Sequence, residues 1–330
     1  MSNTAQIIKQ CRSLPGVTVT EGDGCVELRL SCEEGSGRMR FIPLFPGVTL
    51  ALISVDAPTW PAPVLADCAP EAKGPLIINY CTRGRCELVL NDNSSVFVAA
   101  GHISLTERFA RSEYVYPGRV YEGVELFIDP QPTPGGALLR EYFGVDIAAL
   151  RQRYCPDGET FVAKMPLSEE LTDRLRSLPD WPAAGRHTGM KTAVIDLLAL
   201  LQYGGAGTRM APVTYYTRSQ VEMAKQIEAV ITRDLSRQHT AREFAQLFDV
   251  SESSVKNYFR GVYGQSILQY ATQRKMQHAA ELLAATSLPV IEIAGRVGYG
   301  NQSKFSAVFR KTFGVTPREY RRAHRLSREA

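Results

Sequence analysis

Histidine is scarce in this chain. Five are scattered over 330 residues, at positions 102, 187, 239, 278 and 324. A metal site built on three histidines, or on two close histidines and a carboxylate, has too few ligands to form. No run of eighteen apolar residues occurs, so no membrane-spanning helix is expected. The opening residues, MSNTAQIIKQCRSL, lack the long apolar core of a secretory signal. The 7 cysteines are odd in number and irregular in spacing, which reads as a reduced, cytoplasmic protein rather than a disulfide framework. There is no Gly-x-Ser-x-Gly elbow and no P-loop, and the glycine cluster at 204–207 precedes neither Lys-Ser/Thr nor a clear strand. With no catalytic constellation in view, the chain is expected to be no enzyme and to carry no cofactor.

What is present is ordinary globular composition, 44% hydrophobic and 22% charged, long enough for two domains. The net charge of +4 is mild but unevenly spread. From residue 219 onward there are 17 Lys and Arg against 10 Asp and Glu, a net +7; the preceding part has 21 against 24, a net −3. A basic last third is where phosphates would be met.

That last third has a repeated design over residues 240–321. Thr240 with Glu243 forms a capping-box pattern, and Phe244, Ala245, Leu247 and Phe248 follow as an apolar stripe. Asp249-Val250-Ser251 breaks the helix, and Ser251 is suited to cap the next one. There Val255, Phe259 and Val262 recur at helical spacing, which leaves Ser253, Ser254, Lys256, Asn257 and Arg260 outside. The second part has Ile291, Ile293, Ala294 and Val297 as an inward helix and Gly298-Tyr299-Gly300 as the break. A helix beginning at Asn301 or its neighbour then puts Phe305, Val308, Phe309 and Phe313 inside. Gln302, Ser303, Lys304, Ser306, Arg310 and Lys311 face outward. A long helix over about 266–286, capped by Ser266, separates the two parts, with Met276, Ala279, Leu282 and Leu283 on its core face. Short helix, tight break and polar second helix is a geometry for placing one helix in a major groove; a rigid pair suits two successive grooves roughly 34 Å apart.

These residues resemble the double helix-turn-helix DNA-binding domain of the AraC/XylS transcription regulators. The resemblance is carried most specifically by Glu292-Ile293-Ala294, Val297-Gly298-Tyr299, Phe305-Ser306, Phe309-Arg310-Lys311, Gly314, Thr316-Pro317 and Tyr320-Arg321. It covers about a third of the chain. Lys275 stands where the family usually has Arg, and Ala307 where an Arg is common in the second reading helix. The resemblance implies double-stranded promoter DNA as partner, a homodimer, an activator that meets RNA polymerase, and no membrane. Ser253, Ser254, Lys256, Asn257, Asn301, Gln302, Ser303, Lys304 and Ser306 are the expected groove-facing residues. Arg260, Arg310, Lys311, Arg321 and Arg322 are the expected phosphate contacts.

The first 135 residues read as many short strands separated by Gly, Pro, Asn and Asp, with Asp92-Asn93 as a tight hairpin turn. Strands are expected at 25–33, 39–46, 48–56, 76–82, 86–91, 95–101, 103–107 and 121–129. The family resemblance implies a cupin-like jelly-roll barrel that senses a small-molecule effector. Phe41, Tyr80, Phe97, Tyr121 and Phe127 are candidate walls, with Arg38 and Arg40 to hold an acidic ligand; the alternative is that the aromatics are plain core and the arginines a solvated edge. Helices are expected at 137–154, whole or broken at Gly144, and at 169–178 capped by Ser168. In residues 187–203, Met190, Val194, Leu197, Leu198 and Leu201 make one apolar face, covered either by the barrel or, as the resemblance favours, by a second subunit. The expected architecture is α+β: a β-rich cupin-like jelly-roll barrel (1–135), a helical dimerisation or connector region (136–203), a linker (204–218) and an all-α domain with two helix-turn-helix motifs (219–325). A cupin-type metal enzyme, or a thiol or metal sensor using Cys81 with Cys86 or Cys25 with Cys32, fused to a DNA-binding domain is the competing reading.

Overall fold

The computed structural model describes residues 8–329, apart from 23, 62–73, 91, 108–112, 131, 166, 168, 178–182 and 205–209. The chain divides into two compact units, Met1–Tyr215 and Tyr216–Ala330.

In the first unit, runs rich in β-branched and aromatic residues form antiparallel strands. These are β1 (Val17–Gly22), β2 (Cys25–Cys32), β3 (Gly35–Phe45), β4 (Val48–Asp56), β5 (Thr59–Pro61), β6 (Leu76–Val89), β7 (Ser95–Ala99), β8 (His102–Thr106), β9 (Glu113–Val115), β10 (Val120–Ile128), β11 (Phe161–Lys164) and β12 (Ala211–Pro212). The main sheet runs β1-β2-β3-β4-β10-β6-β8-β11-β12 and is open, with β1 and β12 at its ends. A smaller layer forms from β5, β9 and β7 with the far half of β6. The long strand β6 therefore serves both layers. It bends at Gly84, whose φ is +82° and where a Cβ would stand 1.8 Å from the carbonyl oxygen of Val120.

Side-chain alternation splits the apolar residues into two cores. Along β10, Tyr121 and Phe127 face an inner core between the two layers, with Leu28, Phe41, Trp60, Val96 and Val98. Val124, Leu126 and Ile128 face an outer core. Helices cover that outer face: α1 (Pro134–Phe143), α2 (Ile147–Tyr154), α3 (Glu169–Ser177) and α4 (Ala183–Tyr203). Helices α1 and α2 are separate because Gly144 ends α1 in the left-handed region, φ 68°, and Asp146 caps α2 by accepting from the amides of Ala148 and Ala149.

The fold class is the expected one, a β-rich first unit with helices followed by an all-helical second unit. Several details depart from the sequence reading. The strands expected at 76–82 and 86–91 are one strand: Arg83 and Gly84 stay paired with Glu122 and Tyr121, and the irregularity is a bulge at Thr82, which the register skips. Strands β11 and β12 fall where helix and linker were expected, and they pair with each other through Ala163 and Pro212. The hairpin at Asp92-Asn93 is present, with Asn93 at φ 61° and Asp92 accepting from the Ser94 amide. Ser168, the expected cap of α3, lies outside the described residues, as does most of the glycine cluster at 204–207. The apolar face of α4 is not an open one. Met190, Val194, Leu197, Leu198 and Leu201 are each at most 1% exposed and belong to the outer core, so the sheet covers them and a second subunit does not.

The second unit contains α5 (Arg218–Arg233), α6 (Ala241–Phe248), α7 (Glu252–Tyr263), α8 (Ile267–Ala285), α9 (Val290–Arg296), α10 (Gln302–Phe313) and α11 (Pro317–Glu329). Reciprocal capping boxes start α5 at Thr217, α6 at Thr240 and α8 at Ser266. Two cores form. Helices α5, α6 and α7 close on Ile267, Tyr270 and Ala271 of α8. Helices α9 and α10 close on Met276, Ala279, Ala280 and Leu283 further along the same helix. Leu247 and Ile291, expected inside, are each 64% exposed, on the far sides of α6 and α9. The two halves also touch directly. Gly298, in the break after α9, has φ +78°, and a Cβ there would lie 2.1 Å from the carbonyl oxygen of Ser236 in the loop before α6. The Lys275 ammonium sits beside it, 6.0 Å from the centre of the Tyr299 ring.

Two predictions follow from this packing. Leu198→Ala should cost about 2–5 kcal/mol in chemical denaturation and leave the sedimentation mass of folded protein unchanged; a lower mass with undiminished stability would place the α4 face at a subunit interface. Gly298→Ala should destabilise the second unit more than Gly314→Ala. Both glycines are left-handed, a strain of about 1–2 kcal/mol for alanine, but nothing lies within 4 Å of a Cβ at Gly314. Equal losses in helical circular dichroism melts would show that the Ser236 contact yields freely.

Candidate functional site

The second unit presents two helices of the same construction. Helix α7 is capped by Ser251 and α10 by Asn301; each ends at a left-handed glycine, Gly264 or Gly314, whose N–H donates to Arg260 or Arg310. Val255 and Phe259 are buried in one as Phe305 and Phe309 are in the other. This register pairs Ser253 with Ser303, Lys256 with Ser306, Asn257 with Ala307 and Arg260 with Arg310. The two outer faces are thus equivalent in place and unequal in chemistry.

On α7, Ser253, Lys256, Asn257 and Arg260 are exposed. The hydroxyls of Ser253 and Ser254 both lie within hydrogen-bond distance of the Ser251 hydroxyl, at 2.8 and 2.9 Å, so they share its cap. Lys256 donates to Glu252 at 3.1 Å, an exposed pair that a phosphate can displace at little cost. Asn257 and Arg260 make no side-chain hydrogen bond or ion pair among the described residues, and stand one turn apart on the outer face.

On α10, Ser303, Lys304, Arg310 and Lys311 are exposed, while Gln302 and Ser306 are half-buried. Asn301 is spent on the cap, its Oδ1 accepting from the Lys304 amide at 3.0 Å. Arg321 is also engaged: its guanidinium donates to the Leu288 carbonyl at 2.6 Å and ties α11 to the loop between α8 and α9. Arg322 is exposed, near Glu319, whose carboxylate is held below its usual range first by hydrogen bonds from the Thr316 backbone and hydroxyl, with Arg310 and Arg322 adding to the effect. Lys275, the departure from the family pattern, is half-buried; burial lowers its ammonium below the usual value, with Asp234 opposing.

In the first unit the expected effector residues do not converge. Phe41, Tyr121 and Phe127 share the inner core, and the rings of Phe41 and Phe127 are 5.6 Å apart. Tyr80 belongs to the outer core beneath the helices. Phe97 alternates with Val96 and Val98 and so lies on the other face of β7 from the inner core, buried at 3% exposure with the Arg85 guanidinium 5.7 Å above its ring. Arg38 and Arg40 alternate with Met39 and Phe41 and face outward; Arg40 pairs with Glu27 at 3.2 Å. No acidic ligand is held by that pair inside the sandwich.

The interior carries instead a polar row that the sequence reading missed. On adjacent strands of the main sheet, Glu125 of β10 is register partner to Asn79 of β6, and Asn79 to Ser104 of β8. All three share the inner face with Tyr121 and Phe127. The Tyr121 hydroxyl donates to Asn79 Oδ1 at 2.7 Å. Among the described residues no donor reaches the Glu125 carboxylate, and burial raises it to about 7. The signal was available in the parity of Tyr121, Gly123, Glu125 and Phe127, which puts an acid on the aromatic face of its strand.

His102 is the first residue of β8, its Nδ1 accepting from the Ala99 amide at 3.2 Å; burial lowers its affinity for a proton. Burial pushes the Cys11 thiol up to about 11 and those of Cys81 and Cys155 to about 12, which suppresses the thiolate that redox and metal chemistry need. Cys25 and Cys32 lie at opposite ends of β2. Among the described residues no three His, Cys, Asp or Glu come together as a metal site, and no helix is long and apolar enough to cross a membrane.

A protein-family model described as "Helix-turn-helix domain" matches residues 244–323. The HTH-type transcriptional activator RhaR of Mannheimia succiniciproducens is 33% identical over 103 residues, which is 31% of this chain and 37% of that protein. A protein of Streptomyces antibioticus described as an AraC-like transcription regulator is 34% identical over 90 residues, 27% of this chain and 30% of the other. The chain thus spans about a third of the length of these curated relatives. Among solved structures, the C-terminal domain of AraT, a response regulator from Geobacillus stearothermophilus, is 35% identical, covering 31% of this chain and 84% of that one, with a TM-score of 0.30. Residues 244–323 of the second unit are thus similar to the helix-turn-helix domains of AraC-like transcription regulators.

Proposed function

We propose that the chain is a sequence-specific DNA-binding transcription regulator. Its second unit would lay α7 and α10 in successive major grooves, while its first unit senses a small-molecule effector. The observation that carries this reading is the pair of matched helices on one shared spine, each with a basic outer face. The relatives' printed role as activators extends to this chain as part of the same proposal, with RNA polymerase as the partner it implies. The homodimer has its support in the family resemblance alone, since the α4 face proposed for it is filled from within the chain. The domain limits are proposed as a sensor domain over 1–135, a helical region over 136–203, a linker over 204–218 and a DNA-binding domain over 219–325.

Within this reading α7 is the base reader and α10 the anchor. Asn257 has the amide suited to bidentate contact with adenine, and its counterpart Ala307 offers only a methyl group. Arg260, Arg310, Lys304 and Lys311 supply the charge that holds phosphates.

Fluorescence anisotropy of the full chain on DNA from upstream of its own and adjacent genes, beside scrambled DNA, tests the proposal. Cognate binding at least about a thousandfold tighter is expected, with strong salt dependence; equal weak binding to both, with and without a metabolite panel, would refute it. Arg260→Ala and Arg310→Ala should weaken all sequences alike and lower the log–log salt slope by about one. Asn257→Ala should cost about 1–3 kcal/mol on cognate DNA and nothing on scrambled DNA. A uniform loss would remove Asn257 from the reading surface.

A further inference from the structure

We propose that the interior of the first unit binds a small organic cation, with an ammonium group on Glu125 and its polar remainder on Asn79 and Ser104. This inference rests on the effector-sensing part of the function proposed above and gives that effector a chemical class.

The argument starts from the main sheet. Strand β10 lies between β4 and β6, and its pairing with β4 is regular throughout. Glu125 therefore points, without ambiguity of register, into the space between the two layers. Its partner on β4 is Ala51, one of the smallest side chains. On the other side the row continues through Asn79 and Ser104 to Val162 of β11. Three polar side chains thus cross the floor of an otherwise apolar interior. Asn79 and Ser104 are 5% and 2% exposed, and apart from the Tyr121 bond to Asn79 Oδ1 none of the three has a side-chain partner among the described residues. Glu125 itself keeps partial access to solvent while standing amid the strands, so a ligand could reach it.

Charge decides what this interior would take. The titratable groups that feel Glu125 are Cys86 of β6, Tyr121 of β10 and Tyr116 in the turn before β10; Cys81 adjoins Cys86. All are acids that burial keeps neutral. No Lys, Arg or His side chain among the described residues pairs with Glu125. A buried carboxylate is costly unless a counter-charge meets it, and burial alone raises Glu125 to about 7. Near neutral pH it is poised to ionise when a cation arrives. The walls argue for an organic cation over a metal ion. Calcium and magnesium ask for six or more oxygens, whereas Phe41, Phe127 and the stacked pair Tyr116 and Tyr121, ring centres 5.2 Å apart, offer apolar and π surface. An ammonium on an apolar body satisfies both the acid and the rings.

The test uses the full chain and three matched series: primary alkylamines of two to six carbons, the corresponding alcohols and the corresponding carboxylates, at equal ionic strength. At pH 8 the amines should raise the melting temperature of the wild type by about 2–4 °C once several-fold above their dissociation constants. Glu125→Gln, which keeps shape and removes the charge, should lose that response. The amine effect should also shrink at pH 5, where Glu125 is protonated. The ligand-free proteins give an independent arm. Because the folded carboxyl is raised to about 7, the stability it confers is full below the ordinary carboxylate range and is lost as pH rises through 7. The wild type should therefore lose stability from pH 5 to pH 8 relative to Glu125→Gln. Parallel pH profiles would overturn the unpaired buried carboxylate. Alcohols or carboxylates that stabilise as well as amines, an amine response retained by Glu125→Gln, or no response in any series would each overturn the cation. Sequence-selective DNA binding by the same preparations keeps the regulator reading separate from all of these outcomes.

Discussion

One helix belongs to two cores at once. The first turns of α8 complete the core of α5, α6 and α7, and its later turns complete the core of α9 and α10. Neither half has enough apolar surface to dispense with its share of α8. The distance and rotation between α7 and α10 are therefore set by helix geometry, at about 1.5 Å and 100° per residue. The Gly298 contact with Ser236 adds a second point of support. With two separated supports the halves cannot pivot about the spine without breaking one of them. Whatever α7 and α10 touch must match a spacing already built into the protein.

The first unit solves a different problem with one long strand. By bending at Gly84, β6 lends its first half to the large sheet and its second half to the small layer. The inner core is enclosed by a continuous piece of backbone, not by two sheets that merely stack. The outer core owes its closure to helices, and α4 gives its whole apolar face to it. The polar row of Glu125, Asn79 and Ser104 runs across the inner face alone, so one side of the sheet is purely structural and the other keeps unused polarity.

The second unit was largely legible in the sequence because its signals are local. Capping boxes, helical spacing of Phe and Val, and breaks at Asp249 and Gly298 all act within a few residues. What failed there were the edges of short helices: Leu247 and Ile291 look apolar and inward, but a helix of two turns has room for only two or three buried positions. Arg321 was harder to read for another reason, since the Leu288 carbonyl that holds it is remote in sequence. In the first unit strand existence was readable and strand partnership was not. Nothing near Arg83-Gly84 shows that the strand runs on through a bulge at Thr82 until Glu122 and Gly123 are known to pair with Arg83 and Cys81. The effector candidates were chosen as aromatic residues, yet the face each occupies depends on register, and register divided Tyr80 and Phe97 from Phe41, Tyr121 and Phe127. An acid on a strand is usually solvated, and only the parity of Glu125 with Phe127 gives the contrary sign.

The pairing of Asn257 with Ala307 gives the second unit a head and a tail. Under the proposed function, an amide reader at one end and a bare methyl group at the other would let the bound chain point along the duplex like an arrow. Leu247 and Ile291, exposed on α6 and α9, would then meet a fixed upstream or downstream neighbour.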